Sequence, residues 1–196
     1  APRRDSEYPP PELLEALKIP ILKAEGFEAD DVIGTLAVKA GEQGVTVYML
    51  TPDKDFAQVV RERVYLYRIS SKKEAPYPWD AEEVEKQTGV RPDQIADYLG
   101  LRGDAVDNIP GVPKIGDKTA ISLLKEFDNL ESVLLNAESV SKASIRASLL
   151  EFQEQARLSK HLATIALDVP IELDLKALEI CEPDKIRLTS LLHKWE

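Results

Sequence analysis

The chain has 196 residues and 43% of them are hydrophobic, which is enough for one domain with a substantial core, or for a domain with a small appendage. Its single cysteine excludes an internal disulfide and is typical of a reducing cytoplasm. No segment resembles a signal peptide or a membrane span, so no membrane partner is expected. The net charge of −10 argues against binding nucleic acid through overall charge, so any basic surface for it must be local.

The first half of the chain predicts alternating helices and strands. In chain order, the apolar patterns predict a helix at 12–18, a strand at 19–22, a helix at 30–40, and strands at 45–50 and 64–67. The run at 45–50 is apolar apart from Thr46, as in a parallel strand buried on both faces. Asp53 and Asp55 follow it directly, at the edge where open α/β sheets bind ligands.

The second half predicts helices only. A capping box of Asp80 and Glu83 opens a helix that ends near Gly89. Further helices are predicted from Pro92 to about residue 100, at 117–127, after a capping box of Asp128 and Glu131, in one or two pieces over 141–166, and from Pro183 to Trp195. Strands mixed with helices, followed by helices alone, favour a parallel α/β core that carries a helical subdomain.

Seven carboxylates are concentrated in three short clusters of the sequence. Glu28, Asp30 and Asp31 lie on the first turn of the second predicted helix, where acidic residues are common because they interact favourably with the helix dipole. Asp53 and Asp55 form either a ligand pair after the strand or simply a turn with Asx hydrogen bonds. Taken singly, each of these clusters has an ordinary structural explanation.

The third cluster contains Asp104 and Asp107, whose spacing allows both side chains to face one ion. Asp107 has the alternative of capping or bracing the hairpin that follows. Carboxylates at this density repel one another, so a fold that gathers them needs cations, and hard divalent ions such as Mg²⁺ or Mn²⁺ take carboxylate and water ligands. Together the three clusters predict a metal site.

A hairpin with two glycines follows the third cluster and leads into the helix at 117–127. Glycine permits left-handed turns and close approach of a phosphate, and the start of a helix offers free backbone N–H groups. A plain turn between helices is the alternative, but Lys114 and Lys118 favour phosphate binding that ignores base identity. The candidate DNA-binding residues are Gly111, Val112, Lys114, Ile115, Gly116, Lys118 and Thr119.

Three strings of the sequence resemble, in order and spacing, the acidic motifs of the 5′-nuclease family. They are Gly26–Ala37, Thr51–Phe56 and Leu101–Val112. This family includes the flap endonucleases and the 5′–3′ exonuclease domain of bacterial DNA polymerase I, and the motifs are most similar to the latter. The likeness runs from about Pro11 to the end of the chain, and Leu158–Lys160 and Leu162–Ile165 also resemble the family.

The resemblance implies a fold and a division into regions. The fold is an α/β, parallel-sheet nuclease core of the 5′-nuclease or PIN-like class, followed by a helical subdomain of the helix-hairpin-helix type that binds DNA. The core is expected at residues 1–80 and the helical subdomain at 81–172. Residues 173–196 are expected to form a linker and the start of a following domain.

The resemblance also implies an activity, namely divalent-metal-dependent 5′–3′ exonuclease and 5′-flap endonuclease cleavage of DNA or RNA-primer phosphodiesters in replication and repair. The implied catalytic residues are Glu28, Asp30, Asp31, Asp53, Asp55 and Asp104, and the implied metal ligands are these six and Asp107. Two Mg²⁺ or Mn²⁺ ions are implied, one to activate water and the other to stabilise the leaving 3′ oxygen. A K⁺ ion bound among the hairpin carbonyls is implied as well.

The implied partners are DNA with a 5′ flap or nick, an RNA primer–DNA hybrid, and polymerase domains on the same polypeptide, in a cytoplasmic, nucleoid-associated setting. Family members begin with strands that carry further aspartates and with a helical arch, and no such segment precedes the first motif here. We therefore expect an interior slice of a longer protein, with weak or no activity by itself. A stand-alone flap-endonuclease-like exonuclease and a non-catalytic DNA-binding module are the alternatives.

Overall fold

The computed structural model describes residues 11–68 and 77–195. The parts of the predicted core region that fall on residues 1–10 and 69–76 lie outside the described residues. The strands are β1 (Val47–Thr51), β2 (Val64–Arg68) and β3 (Pro78–Trp79). The helices are α1 (Pro11–Ala16), α2 (Ala29–Glu42), α3 (Ala81–Thr88), α4 (Ile95–Arg102), α5 (Asp117–Phe127), α6 (Leu130–Leu135), α7 (Ala143–Glu151), α8 (Gln153–Ala163) and α9 (Lys185–Trp195). Short 3₁₀ turns lie at Asp55–Val59, Pro92–Gln94 and Ala137–Ser139.

The three strands form one sheet in the order β1–β2–β3. β1 and β2 are parallel, as the sequence predicts, with Val47 opposite Val64 and Thr51 opposite Arg68. The short β3 is antiparallel to β2, so the described sheet is mixed rather than purely parallel. Because parallel strands end on the same side, Arg68 at the end of β2 comes to the edge where the acidic residues follow β1.

The prediction that β1 is buried on both faces is wrong. Along the strand only Met49 is buried, whereas Tyr48 and Leu50 are 57% and 64% exposed. The alternation follows from the pleat, which turns successive side chains to opposite faces, and from the position of β1 at one edge of the described sheet. An apolar run by itself does not distinguish a strand covered on both faces from one covered on a single face.

Two further local predictions differ from the structure, and one ambiguity is resolved. Residues 19–22 form no strand, and their three large apolar side chains are 42–50% exposed, because no described strand pairs with this segment. Helix α6 is capped by Asn129 rather than by Asp128, since the Asn129 side chain accepts a hydrogen bond from the backbone N–H of Ser132 at 2.9 Å. The region at 141–166 forms two helices, α7 and α8.

One hydrophobic core runs through both halves of the described chain and joins α2, β1 and β2 to helices α3–α8. Its fully buried side chains include Phe56, Leu66, Leu99, Leu124 and Leu149. The division between residues 80 and 81 stays a prediction, since the core crosses it. None of the helices in the two described ranges is long and apolar enough to cross a membrane.

Helix α4 is held against α8 by an ion pair and a close contact. Lys160 Nζ lies 2.6 Å from the buried Asp97 carboxylate, which also accepts a hydrogen bond from the backbone N–H of Leu130 at 2.9 Å. A Cβ atom on Gly100 would approach Lys160 Cβ to 2.9 Å, so glycine allows the two helices to lie close together. This packing fixes the end of α4, from which the third acidic cluster follows.

Candidate metal centre and nucleic-acid interface

Most of the predicted acidic residues line a single cleft of about 400 Å³. The carboxylates of this acidic cleft are Glu28, Asp30, Asp31, Asp53, Asp55 and Asp107. The first three come from the start of α2 and the next two follow β1, so the helix start and the strand end meet at one edge of the core. Ile109 and residues 162–165, which are apolar except for Thr164, form the apolar wall of the cleft.

The second and third clusters meet in a trio of carboxylates. Oxygen atoms of Asp55, Asp104 and Asp107 all lie within 4.8 Å of one another. No other group of three His, Cys, Asp or Glu side chains in the described part of the chain comes as close. Three hard oxygen donors at this separation suit a divalent cation.

Asp104 is buried and braced by the chain itself. Lys54 Nζ donates a hydrogen bond to Asp104 Oδ2 at 2.7 Å, and the backbone N–H of Val106 donates one to Asp104 Oδ1 at 2.9 Å. The hydrogen bond from Lys54 is the main reason that the pKa of Asp104 lies below its usual value of 3.8. Asp104 is therefore held within its own loop, whereas Asp107, for which the sequence left a bracing role open, is exposed in the cleft.

Asp31 is the member of the first cluster whose two oxygens are already hydrogen-bonded. Its Oδ1 accepts a hydrogen bond from the backbone N–H of Ala166 at 2.9 Å, and its Oδ2 accepts one from the backbone N–H of Glu28 at 3.3 Å. The first bond ties α2 to the segment that follows α8. Asp31 therefore stabilises the wall of the cleft, and Asp30 is the freer carboxylate at this end, since the Glu28 side chain takes part in the capping box of α2.

The clusters also affect one another electrostatically. Burial raises the pKa of Asp30 above its usual value of 3.8, and the charges of Asp53 and Glu28 raise it further. Burial likewise raises the pKa of Asp55 to about 6, with Asp53 adding to the rise and Lys54 opposing it. Such shifts mark a site where negative charge is under-compensated and a cation would be favoured.

We expect metal binding to weaken as the pH falls through about 6, because Asp55 then takes up a proton that the metal must displace. For one displaced proton, the affinity for Mn²⁺ should fall roughly tenfold per pH unit below that point. Calorimetric titration with Mn²⁺ at pH values above and below about 6 measures this change in affinity. The affinity of the variant Asp55→Asn should not depend on pH in this way. A pH dependence that persists in the variant would assign the proton to another group.

Two polar side chains that hold the acidic residues and the wall in place, Lys54 and Gln58, are not among the predicted site residues. Gln58 Nε2 donates a hydrogen bond to the carbonyl oxygen of Ala163 at 3.0 Å, and Gln58 Oε1 accepts one from the backbone N–H of Ile165 at 3.0 Å, so Gln58 holds the apolar wall in place. Lys54 had a signal, since it lies between two predicted ligands. Gln58 had none, because its partners are more than a hundred residues away.

The backbone of Gly111 has a structural role in the hairpin. Gly111 has φ +60, and a Cβ atom on it would collide with the backbone nitrogen of Gly103. Its N–H donates a hydrogen bond to Ser159 Oγ at 3.0 Å, and its carbonyl accepts one from Gln155 Nε2 at 2.6 Å. The side-chain position of Gly111 therefore faces the protein's own backbone, and the approach of a phosphate to this residue stays a prediction.

The remaining hairpin residues separate into core and surface. Val112 and Ile115 are 2% and 5% exposed and belong to the hydrophobic core, so their predicted DNA contact is not available to their side chains. Lys114, Gly116 and Lys118 are exposed, and Thr119 is partly exposed. Gly116 precedes α5, and a Cβ atom there would meet nothing within 4 Å, so the start of α5 is open to a ligand.

The acidic first residue of α5 is neutralised by α4. Asp117 Oδ1 accepts a hydrogen bond from the Tyr98 hydroxyl at 2.6 Å and lies 2.5 Å from Arg102 Nε. These contacts attach the hairpin to α4 at the end from which Asp104 follows. The start of α5 therefore keeps a local positive character despite its acidic first residue.

Two family models match the chain and together cover most of it. The N-terminal resolvase-like domain of 5′–3′ exonucleases matches residues 9–89, and the C-terminal SAM fold of 5′–3′ exonucleases matches residues 90–186. The chain belongs to the 5′–3′ exonuclease family. The resemblance of the three acidic motifs is thereby confirmed.

The matched relatives of this exonuclease-family chain include DNA polymerase I sequences. DNA polymerase I of Chloroflexus aurantiacus is 46% identical over 188 residues, which are 94% of this chain and 20% of the relative. The thermostable DNA polymerase I of Thermus aquaticus is 39% identical over 186 residues, which are 94% of this chain and 21% of the relative. The chain thus spans about a fifth of the length of these relatives.

Solved structures confirm the fold class. The T5 5′-exonuclease with bound zinc has a TM-score of 0.68 at 19% identity, covering 90% of this chain and 63% of that one. The catalytic core of Rad2 in complex with a DNA substrate has a TM-score of 0.60 at 19% identity, covering 93% of this chain and 61% of that one. The predicted 5′-nuclease fold of the exonuclease family is therefore present.

Proposed function

We propose that the chain is a metal-dependent nuclease segment of a protein like DNA polymerase I, and that it hydrolyses phosphodiesters near 5′ ends as a 5′–3′ exonuclease and flap endonuclease. The observation that carries this is the convergence of Asp55, Asp104 and Asp107, whose oxygens lie within 4.8 Å of one another beside a cleft of further carboxylates. Membership of the exonuclease family supports the class of reaction, and the DNA polymerase I relatives support a place in replication and repair.

The side chains of the acidic cleft fit divalent cations. They are hard oxygen donors, and no histidine or cysteine of the described residues lines the cleft. We assign Asp55, Asp104 and Asp107 to one Mg²⁺ or Mn²⁺ ion. A second ion is assigned to Glu28, Asp30 and Asp53. When bound, such ions activate a water molecule and stabilise the leaving 3′ oxygen.

The residues around these carboxylates hold the geometry that the ions need. Lys54 keeps Asp104 charged and in place through a 2.7 Å hydrogen bond. Asp31 and Gln58 fix the two ends of the wall by hydrogen bonds to the segment after α8. Such supporting contacts matter, because losing those around metal ligands typically costs roughly 10–100-fold in metal affinity or activity.

The proposed substrates are DNA with a 5′ flap or nick and an RNA primer paired with DNA. The exposed Lys114 and Lys118 near the start of α5 support sequence-independent binding of duplex phosphates. A K⁺ ion at the hairpin would have to use carbonyls other than that of Gly111, which Gln155 already occupies. In a protein like the longer relatives, the segment would be joined to polymerase domains in the bacterial cytoplasm.

Titration with Mn²⁺ and cleavage of a 5′-flap DNA, with Mg²⁺ and with EDTA, test the proposal together. We expect Mn²⁺ to bind, and any cleavage to depend on the metal. A chain that binds no divalent ion and cleaves nothing would contradict the nuclease assignment. If that chain still bound flap DNA, the result would support a non-catalytic DNA-binding module instead, a reading favoured by the contacts that already engage Asp31 and Asp104.

Replacing Lys118 by Ala should weaken DNA binding about equally for all sequences and reduce the salt dependence by roughly one phosphate contact. The reason is that an exposed ammonium at the helix start contacts phosphate as a point charge. Fluorescence anisotropy over a series of salt concentrations measures both effects. Lys125→Ala is the matched control, because Lys125 is an exposed lysine at the other end of α5. If the loss of DNA affinity depends on the DNA sequence, or equals that of the control, the hairpin is a plain structural turn and does not bind phosphate.

A further inference from the structure

A second cavity of about 400 Å³ adjoins the acidic cleft and differs from it in charge. We call it the arginine cavity, and its lining includes Lys54, Arg68, Trp79, Tyr98 and Arg102. It lies between β2 and β3 on one side and helices α3–α5 on the other. Its volume suits a group of nucleotide size. Asp55 borders both cavities, so a ligand chain could pass from one to the other.

An aromatic ring positions Arg68 in this cavity, and no carboxylate in the described part of the chain pairs with it. Its guanidinium carbon lies 5.1 Å from the centroid of the Trp79 ring, a contact that orients the group without neutralising its charge. Arg68 forms no ion pair with a described residue, and its Nη2 lies at the long distance of 3.5 Å from the carbonyl oxygen of Pro52. Its Nε is buried and has no hydrogen-bond partner among residues 11–68 and 77–195, which is costly unless a further acceptor is supplied.

The other two cations of the cavity are already matched by acidic groups. Arg102 Nε lies 2.5 Å from Asp117, and Arg102 Nη1 lies 3.6 Å from Asp104. The ammonium of Lys54 is also held by Asp104. Within the described residues, Arg68 is therefore the cation of this cavity that remains free for an anionic ligand.

We propose that Arg68 binds a phosphodiester of the DNA strand, next to the phosphodiester that would be cleaved at the acidic cleft. This rests on the proposed nuclease function and makes Arg68 a positioning residue, which holds the strand in register for cleavage. A phosphate fits because its oxygens accept from the parallel N–H groups of a guanidinium. An internal phosphodiester fits because the cavity adjoins the cleft at Asp55, and neighbouring phosphates on one strand follow each other at short spacing.

The first test is the variant Arg68→Met, which keeps an unbranched stem against Trp79 and removes the guanidinium. In Ca²⁺ buffer we expect it to bind 5′-flap DNA roughly tenfold or more weakly than the unchanged chain, with the salt slope reduced by about one. Mn²⁺ affinity should be unchanged. The melting temperature should be unchanged or higher, because the variant removes a buried N–H for which the described residues supply no acceptor. The control is Arg63→Met, which removes the same charge from an exposed residue directly before the start of β2.

The second test identifies the phosphate. Flap DNAs carrying one neutral methylphosphonate at successive positions are bound by the unchanged chain and by Arg68→Met. We expect one position near the cleavage point to weaken binding by the unchanged chain and to have no effect in the variant. Competition with inorganic phosphate distinguishes a terminal phosphate from an internal one.

The outcomes separate this inference from the proposed function. Equal DNA affinities of Arg68→Met and the unchanged chain, while Mn²⁺ still binds, would overturn the assignment of Arg68 alone. A fall in melting temperature with an equal loss at every methylphosphonate position would make Arg68 a structural residue. If inorganic phosphate competes strongly with the DNA, and no methylphosphonate position weakens binding more than another, the claim that Arg68 binds an internal phosphodiester is wrong. Absence of both Mn²⁺ and DNA binding by the unchanged chain would overturn the proposed function and this inference together.

Discussion

Replacing Asp55 by Asn is expected to lower metal-dependent cleavage and metal affinity strongly. Asp55 belongs to the trio whose oxygens lie within 4.8 Å of one another, and it comes directly from the end of β1. A metal ion contributes several kcal/mol to stabilising the transition state, so impairing its site should reduce the rate by roughly 10³-fold. Cleavage of 5′-flap DNA and calorimetric titration with Mn²⁺ measure the two losses.

The same variant is expected to be at least as stable as the unchanged chain when metal is removed. The pKa of Asp55 in the folded chain is about 6, above its usual value of 3.8, so folding favours the protonated form. The stability that this gives is present below the unfolded pKa and is lost as the pH rises through about 6. Asparagine carries no charge, so near neutral pH it should recover on the order of 1 kcal/mol after allowance for solvent screening.

Thermal unfolding in EDTA on both sides of pH about 6 checks this second effect, because the stability advantage of Asp55→Asn should grow as the pH rises. Glu126→Gln is the matched control, since it removes the same charge from an exposed position on α5. If Asp55→Asn lowers both the free energy of unfolding and the cleavage rate, Asp55 stabilises the fold and is not a metal ligand whose charge destabilises the metal-free chain.

Replacing Gly111 by Ala is expected to destabilise the chain by about 3 kcal/mol or more. Two costs add here, since the residue has φ +60 and its new Cβ would collide with backbone atoms of Arg102 and Gly103. The backbone of Gly111 is also hydrogen-bonded to α8 through Ser159 and Gln155, so it has no room to shift. Chemical denaturation measures the loss of unfolding free energy.

Gly116→Ala is the internal comparison for this prediction. Gly116 has φ −106, and a Cβ atom there would meet nothing within 4 Å, so stability should change little. If a phosphate approaches the start of α5, the added methyl group should instead weaken DNA binding. Equal stability losses in the two variants would contradict the division of the hairpin into a core side and a ligand side.

Local patterns predicted the elements on which the site is built. The apolar spacing at 30–40 and the run at 45–50 correspond to α2 and β1, and the acidic residues beside them lie in one cleft. Predictions from local patterns were wrong where the same pattern is compatible with more than one secondary structure. The apolar segment at 19–22 is exposed and irregular, because a strand exists only where another strand supplies its hydrogen bonds.

The role of each acidic residue was not predictable in the same way. Asp31 accepts a hydrogen bond from Ala166, and the charge of Asp104 is matched by Lys54, contacts that span 135 and 50 residues. No local pattern carries such information, because it depends on how distant segments approach one another. The sequence therefore predicted that the carboxylates lie close together, but not which of them are also held by hydrogen-bond donors of the chain itself.

The sequence by itself determined the family, the order of the acidic motifs, and the approximate positions of α2, β1 and β2, because these depend on residue identity and local periodicity. Only the tertiary structure decided that Val112 and Ile115 are core residues, and that Arg68 lies over Trp79 with no carboxylate partner among the described residues. Burial and charge pairing are properties of neighbours in space. In a chain where those neighbours are distant in sequence, they are fixed only when the whole fold is formed.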